Sequence, residues 1–208
     1  MSTAWLVRPR PHGILRLDQF RSDNFVAIGW PGIGDLTGKS CQDIKTLLAG
    51  KPYGLADTPL KYANSAVDII VNRMNAGDLV LVPHDDDIFF AEICSDYIFD
   101  PAADTDQTGY SHQRKVKWLE KTSRENLSKD LRNTLKIGRT AANLGHYYDE
   151  IDALAHGKKS PSDGETEKLT VVYPLRRNFS ITIDLPADIT KDEANRLSQY
   201  LGTLYFSE

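Results

Sequence analysis

The stretch "WPGIGDLTGKS", Trp30 to Ser40, ends in the Gly-Lys-Ser of a phosphate-binding loop. Such a loop needs a glycine, four free positions and then Gly-Lys-Ser or Gly-Lys-Thr, because that spacing curls backbone N–H groups round a phosphate. The required position holds Ile33, with Gly32 and Gly34 on either side, so the spacing fails. Other catalytic chemistry is sparse. The five histidines, His12, His84, His112, His146 and His156, show no HxH or HxxxH spacing. The triple aspartate Asp85-Asp86-Asp87 sits in a turn between hydrophobic strands, where acids are ordinary solvated residues. Asp86 with Glu92 lacks the following lysine of a nuclease pair, and no Ser or Cys lies in a nucleophile elbow. The residues therefore predict a protein that is not an enzyme and that needs neither metal nor cofactor.

What remains is a set of aromatics beside hydrogen-bonding residues: Trp5, Trp30, Tyr62, Tyr97, Tyr110 and Trp118, with Asn64, Asp100, His112, Gln113 and Arg114 nearby. A nucleobase out of its stack is read by such chemistry, between ring faces, with its edge hydrogen-bonded and its phosphates held by Arg and Lys. The same rings also make ordinary core. Trp5 and Trp118 stand mid-strand, where core is the plainer role, whereas Trp30 ends a strand before Pro-Gly and fits either.

The elements that must position these residues follow from pattern. "TAWLVRP" and "NFVAIGW" read as strands. Ser40 with Asp43 caps a short helix through Leu48, and a second helix spans Tyr62 to Asn75. "GDLVLVP" and "DIFFAEIC" form a hairpin. "RKVKWLEK" alternates as a strand, with Val116 and Trp118 on one side and Lys115 and Lys117 on the other. Thr122 with Glu125 predicts a capped helix, and "HYYDEIDALAH" another. The expected fold class is α+β, a small mixed β-barrel with peripheral helices over residues 1–156. A linker covers 157–168, and a ββα module covers 169–208. In that module Thr190 and Glu193 make a capping box, and Ala194, Leu197, Leu201 and Leu204 make an apolar stripe. About 40 residues bury little core alone, so the module is expected to pack on the barrel, on a copy of itself or on a partner.

At 208 residues with a net charge of −4, the chain does not bind nucleic acid through bulk charge. The charge is polarised, however: nine Lys/Arg against three acids lie between His112 and Arg139. No apolar run approaches a membrane span, no secretory signal opens the chain, and two cysteines, Cys41 and Cys94, make no disulfide framework. A cytoplasmic protein without membrane contact is expected.

The order of "AWLVRP", "FVAIGW…GDLT", "MNAGDLVLVP…IFFAEICSDYIFDP" and "YSHQRKVKWLE" resembles the EVE-like branch of the PUA superfamily. It is most similar to the module at the N-terminus of Mrr-type and other modification-dependent restriction systems. The resemblance covers Thr3 to Leu154. It implies a barrel whose basic cleft accepts a flipped, often methylated, base; the related YTH fold does so for RNA. Carried over, Trp30, Asn64, His112 and Arg114 border the pocket, joined by Trp5, Tyr97 and Tyr110. Phosphates would meet Lys39, Arg114, Lys115, Lys117, Lys121 and Arg124. The expected function is non-enzymatic reading of modified DNA in restriction or phage defence. The alternatives are an RNA-binding module or an adaptor. Residues 169–208 resemble a short module on other bacterial proteins and would self-associate or recruit an effector that acts in trans.

Overall fold

All four residues of β1 (Ala4–Val7) are buried, which a strand achieves only when both faces of its sheet are covered. Trp5 and Val7 enter one core cluster, Ala4 and Leu6 the other. The same alternation runs along β3 (Leu79–His84), with Val80 and Val82 on the first side and Leu79 and Leu81 on the second. It recurs in β4 (Asp87–Ile93), where Phe89 and Ala91 face one way and Ile88 and Phe90 the other. Helices α1 (Leu17–Ser22), α2 (Cys41–Ala49) and α3 (Asp57–Asp68) cover the first side through Phe20, Ile44, Leu48 and Ala66. Helices α4 (Lys129–Thr134) and α5 (Tyr148–Ala155) cover the second through Leu131, Ile151 and Leu154.

This computed structural model describes residues 2–157, 168–187 and 189–203. The chain divides into two units, Met1–Pro161 and Ser162–Glu208. In the first unit, β2 (Phe25–Ile28), β5 (Ile98–Phe99), β6 (His112–Ser123) and β7 (Ala141–Asn143) complete a sheet ordered β2-β6-β4-β3-β1-β7, with β5 also on β6. Only the β1–β3 pair is parallel. Strand β6 changes partners along its length. Its first residues lie between β2 and β5, and its second half pairs with β4 across an irregularity at Phe89/Ala91. A strand shared in this way bends the sheet, and the unit is an α+β fold built on a curled half-barrel.

Local signals account for several elements. The Ser40–Asp43 capping box forms at α2, and the expected hairpin is β3–β4. The helix predicted from Tyr62 begins earlier, at Asp57, and passes into a π turn over Ile69–Arg73. The capping box predicted at Thr122 and Glu125 does not form, because Thr122 is paired with Ile88 in the β6 ladder. Ser128 caps α4 instead, accepting from the Leu131 N–H at 3.2 Å.

The second unit contains β8 (Lys168–Arg176), β9 (Phe179–Pro186) and α6 (Lys191–Leu201). The pairs Leu169–Leu185, Val171–Ile183 and Tyr173–Ile181 make one face of its hairpin apolar. Thr170 donates to Asp184 at 2.8 Å on the other face. The Thr190–Glu193 capping box is present at α6. Leu204 and most of the predicted linker, 158–167, lie outside the described residues.

Candidate nucleic-acid interface around Trp30

The stretch that resembled a phosphate loop is tied down along its length. The Tyr53 hydroxyl donates to the Pro31 carbonyl at 2.8 Å. Asp104 accepts from the Gly32 N–H and from the Ser111 hydroxyl, both at 2.9 Å. The Leu36 N–H donates to the Tyr97 hydroxyl at 3.3 Å, and the Ile33 and Leu36 side chains are buried. At its start, Trp30 holds a left-handed backbone with φ 72°. The preceding Gly29 lies so close to a neighbouring turn that a Cβ there would clash with the His12 backbone nitrogen. That contact brings the Arg10–His12 turn beside Trp30.

Two hollows meet at Trp30. One, of about 210 Å³, is lined by Arg10, His12, Trp30, Tyr53 and Thr140 among others. The next, of about 250 Å³, is lined by Trp30, Pro59, Tyr62, Ala63, Arg139 and Thr140 among others. They share Trp30 and Thr140 as walls, and each is a little smaller than the usual small-molecule site of about 300–1,000 Å³. The Arg139 guanidinium lies 4.7 Å from the Tyr62 ring centroid, a cation–π stack. Arg8 positions the segment carrying it, donating to the carbonyls of Leu135, Ile137 and Arg139 at 2.7, 3.0 and 3.0 Å. Burial, and then the nearby Arg124 charge, lowers the Arg8 pKa. Among the described residues no carboxylate lies within ion-pair distance of Arg10 or Arg139, whereas His12 faces Asp106 at 3.7 Å.

Of the aromatics singled out by sequence, Trp30 and Tyr62 line these hollows and the others do not. Asn64 follows Ala63 on α3 but turns toward α2, where its amide nitrogen lies 3.2 Å from Cys41 Sγ, and lines a different cavity. Trp5 is core: 2 % exposed, it donates to Asp78 at 2.8 Å, and Asp78 also accepts from the Thr3 and Asn75 N–H groups. Tyr110 stacks on Phe25 at 5.6 Å beneath the Arg16 guanidinium. Trp118 donates to the Phe20 carbonyl.

The predicted phosphate contacts are mostly committed elsewhere. Arg114, 3 % exposed, donates to the Ile70, Val71 and Ser95 carbonyls, which removes it from any surface role. Lys115 donates to the Asp23 carbonyl, Lys121 pairs with Asp87 at 3.0 Å, and Arg124 donates to the Asp85 carbonyl. Lys39 and Lys117 are exposed and make no such bonds among the described residues. Sequence reasoning missed Arg10, His12, Tyr53 and Thr140, which come from three separated loops and carry no joint signal along the chain.

His112 is fully buried behind the loop, its ring stacked 6.0 Å from Tyr97. The Tyr97 hydroxyl accepts from the Leu36 N–H and shares a hydrogen bond with His112 Nδ1, 2.8 Å away, in which the ring tautomer sets the donor. Nε2 is buried without a hydrogen-bond partner; the Trp30 backbone is near enough to favour the charged ring but not to complete a bond. Burial lowers the His112 pKa to about 4, against the opposing pull of Asp104, Trp30 and Asp35. Burial also raises the phenols of Tyr97 and Tyr53 to about 12, so both remain hydrogen-bond donors. His112 thus braces the loop as a neutral ring and does not reach a ligand in either hollow.

A left-handed backbone costs a residue with a side chain about 1 kcal/mol relative to glycine. Trp30→Gly is therefore expected to be more stable than Trp30→Ala by about 1 kcal/mol in urea titration, the reverse of the usual order in regular structure.

The fold and cleft define a class: an α+β protein whose half-barrel presents an aromatic, cation-edged recess and, among the described residues, no cluster of His, Cys, Asp or Glu able to hold a metal. A family profile described as "Domain of unknown function (DUF8426)" matches residues 16–140, more than half of the chain, and the chain belongs to that family. No curated protein and no solved structure matches it.

Proposed function

We propose that the first unit is a non-enzymatic reader of nucleic acid, of the EVE-like PUA kind, that accepts one extruded base of modified DNA in the recess at Trp30. The observation that carries this reading is the meeting of two hollows at one half-buried tryptophan held in a left-handed backbone, with Tyr53, Tyr62, Arg10 and Arg139 on their walls. Rings take a base by stacking, worth about 1–3 kcal/mol per base, and unpaired arginines take its phosphates. Thr140 and His12 supply hydrogen-bonding edges. A methyl group seated in the recess adds only about 0.8 kcal/mol. Sharp preference for a modified base therefore has to come from those edges.

Fluorescence anisotropy on DNA oligonucleotides carrying N6-methyladenine, 5-methylcytosine or 5-hydroxymethylcytosine, against the plain sequence, tests the reading. One modified DNA is expected to bind best, and Trp30→Ala to weaken it about tenfold, or ~1.4 kcal/mol, while narrowing the preference. Equal affinity for all four overturns the modified-base reading. Tighter binding to matched RNA transfers the site to RNA.

The apolar hairpin face of the second unit, with Leu169 and Tyr173 exposed, supports a recruiting or self-associating role for that part. No helix among the described residues is long and apolar enough to cross a membrane. The exposed thiols of Cys41 and Cys94 suit a reducing compartment, the cytoplasm.

A further inference from the structure

The hollow beside Arg10 and Trp30 begins a series of four that share lining residues one with the next, and the second, third and fourth border α3. The second shares Arg139 with a third, of about 370 Å³, whose wall includes Ser65, Ile69 and Arg73. The third shares Ser65 and Arg73 with a fourth, of about 570 Å³, whose wall includes Lys45, Lys61 and Asn64. From Tyr62 to Arg73 the helical stretch advances roughly 16 Å at about 1.5 Å per residue, long enough for a few stacked nucleotides at about 3.4 Å each.

The charges along this path are available. Arg73, Lys61 and Lys45 are exposed and have no carboxylate within ion-pair distance among the described residues. Arg73 lies 5.4 Å from the Trp5 ring centroid, which orients its guanidinium without neutralising it. Two acids, Asp57 and Asp68, also line the fourth hollow, and Asp68 is engaged by the Asn72 amide at 2.9 Å. Along β6 and just past its end, by contrast, Lys115, Lys121 and Arg124 are held by the protein itself, which leaves Lys117 as the unengaged cation of that face among the described residues.

We infer that the strand flanking the extruded base runs along α3, with its phosphates against Arg139, Arg73, Lys61 and Lys45, and not along the basic face of β6. This rests on Trp30 receiving a base. The partner is a single strand several nucleotides long, because the cations follow one line of adjoining hollows and not a broad basic face.

The test measures binding of the full chain to a fluorescein-labelled 12-nucleotide single-stranded DNA of mixed sequence, across a salt series. Three variants are compared with wild type: Lys61→Ala with Arg73→Ala, Lys115→Ala with Lys117→Ala and Lys121→Ala, and Trp30→Ala. Each single-strand phosphate contact contributes about 0.7 to the slope of log affinity against log salt. The α3 double variant is expected to lose about tenfold in affinity and about 1.4 in slope, with the β6 triple variant close to wild type. Loss in the β6 variant with the α3 variant unchanged overturns the path. If only Trp30→Ala weakens binding, the path falls and the base recess stands. If only the α3 variant does, the path stands without a base in the recess. Failure of wild type to bind overturns both. Circular dichroism confirms that each variant is folded; should the α3 double variant not be, Lys45→Ala with Lys61→Ala replaces it with the same expected losses.

Discussion

Arg114→Ala is expected to destabilise the first unit by on the order of 3–4 kcal/mol, because each buried carbonyl left without its donor costs about 1–3 kcal/mol. The guanidinium reaches the Ile70 and Val71 carbonyls at 2.7 and 2.9 Å, where α3 runs out through its π turn. It also binds the Ser95 carbonyl at 3.1 Å, at the start of the turn between β4 and β5. These groups are the unsatisfied carbonyls that every helix end leaves, and here one buried arginine satisfies two of them. Burial lowers its pKa, with Asp96 and Asp78 pulling the other way, and it stays protonated at any physiological pH. For a unit of this size the loss corresponds to a fall in Tm of roughly 10 °C. Arg114→Lys keeps the charge but loses the forked geometry, so it should fall between wild type and the alanine variant. Lys115→Ala, one residue on and exposed, should change stability by less than about 0.5 kcal/mol. An Arg114→Ala variant that melts with wild type would show that these carbonyls find other donors.

Acidification provides the second large effect. His112 has a pKa of about 4 in the fold against 6.5 for an unperturbed ring. A lowered histidine pKa means that the unfolded chain takes up the proton first as pH falls. The contribution of His112 is therefore complete above about pH 6.5 and is lost progressively down to about pH 4, amounting to about 3 kcal/mol in all. Carboxylates act in a separate window: Asp35 and Asp43 are held below 3.8 by hydrogen bonds from Thr37 and from Ser40, so their contribution is lost only at lower pH. Urea titrations at half-unit steps from pH 7.5 to 4.5 should show stability falling through this range in wild type. In His112→Asn, whose side-chain oxygen can still accept from the Tyr97 hydroxyl, the slope should be nearly flat. A wild-type stability independent of pH between 6.5 and 4.5 would place the His112 pKa close to its ordinary value. Because His112 and Tyr97 brace the loop behind Trp30, the same protonation is expected to weaken ligand binding along with the fold.

Elements whose cause is local were legible in the chain. The Ser40–Asp43 and Thr190–Glu193 boxes satisfy N–H groups within three residues, and both form as read. The β3–β4 hairpin followed from two apolar runs joined by an acidic turn. The Thr122–Glu125 box failed because the same residue had a second offer, a place opposite Ile88 in the sheet. Trp30 was singled out for a local reason too, as a ring ending a strand immediately before Pro-Gly, and it lines two hollows.

Most of the remaining site assignment turned on packing. Alternation along β6 predicts one wet and one dry side, and Lys115, Val116 and Lys117 obey it. His112, Gln113 and Arg114 do not, since all three are buried where β6 lies between β2 and β5. No pattern within a strand records what covers its second face. The sequence by itself determined the caps at Ser40 and Thr190, the β3–β4 hairpin and an uneven distribution of charge, because these depend on neighbours a few residues apart, whereas α1, β5 and β7 carried no such local signal. Tertiary structure decided which cations stay free, which rings reach a cavity and which loops meet at Trp30, because burial and ion pairing depend on groups brought together from distant parts of the chain.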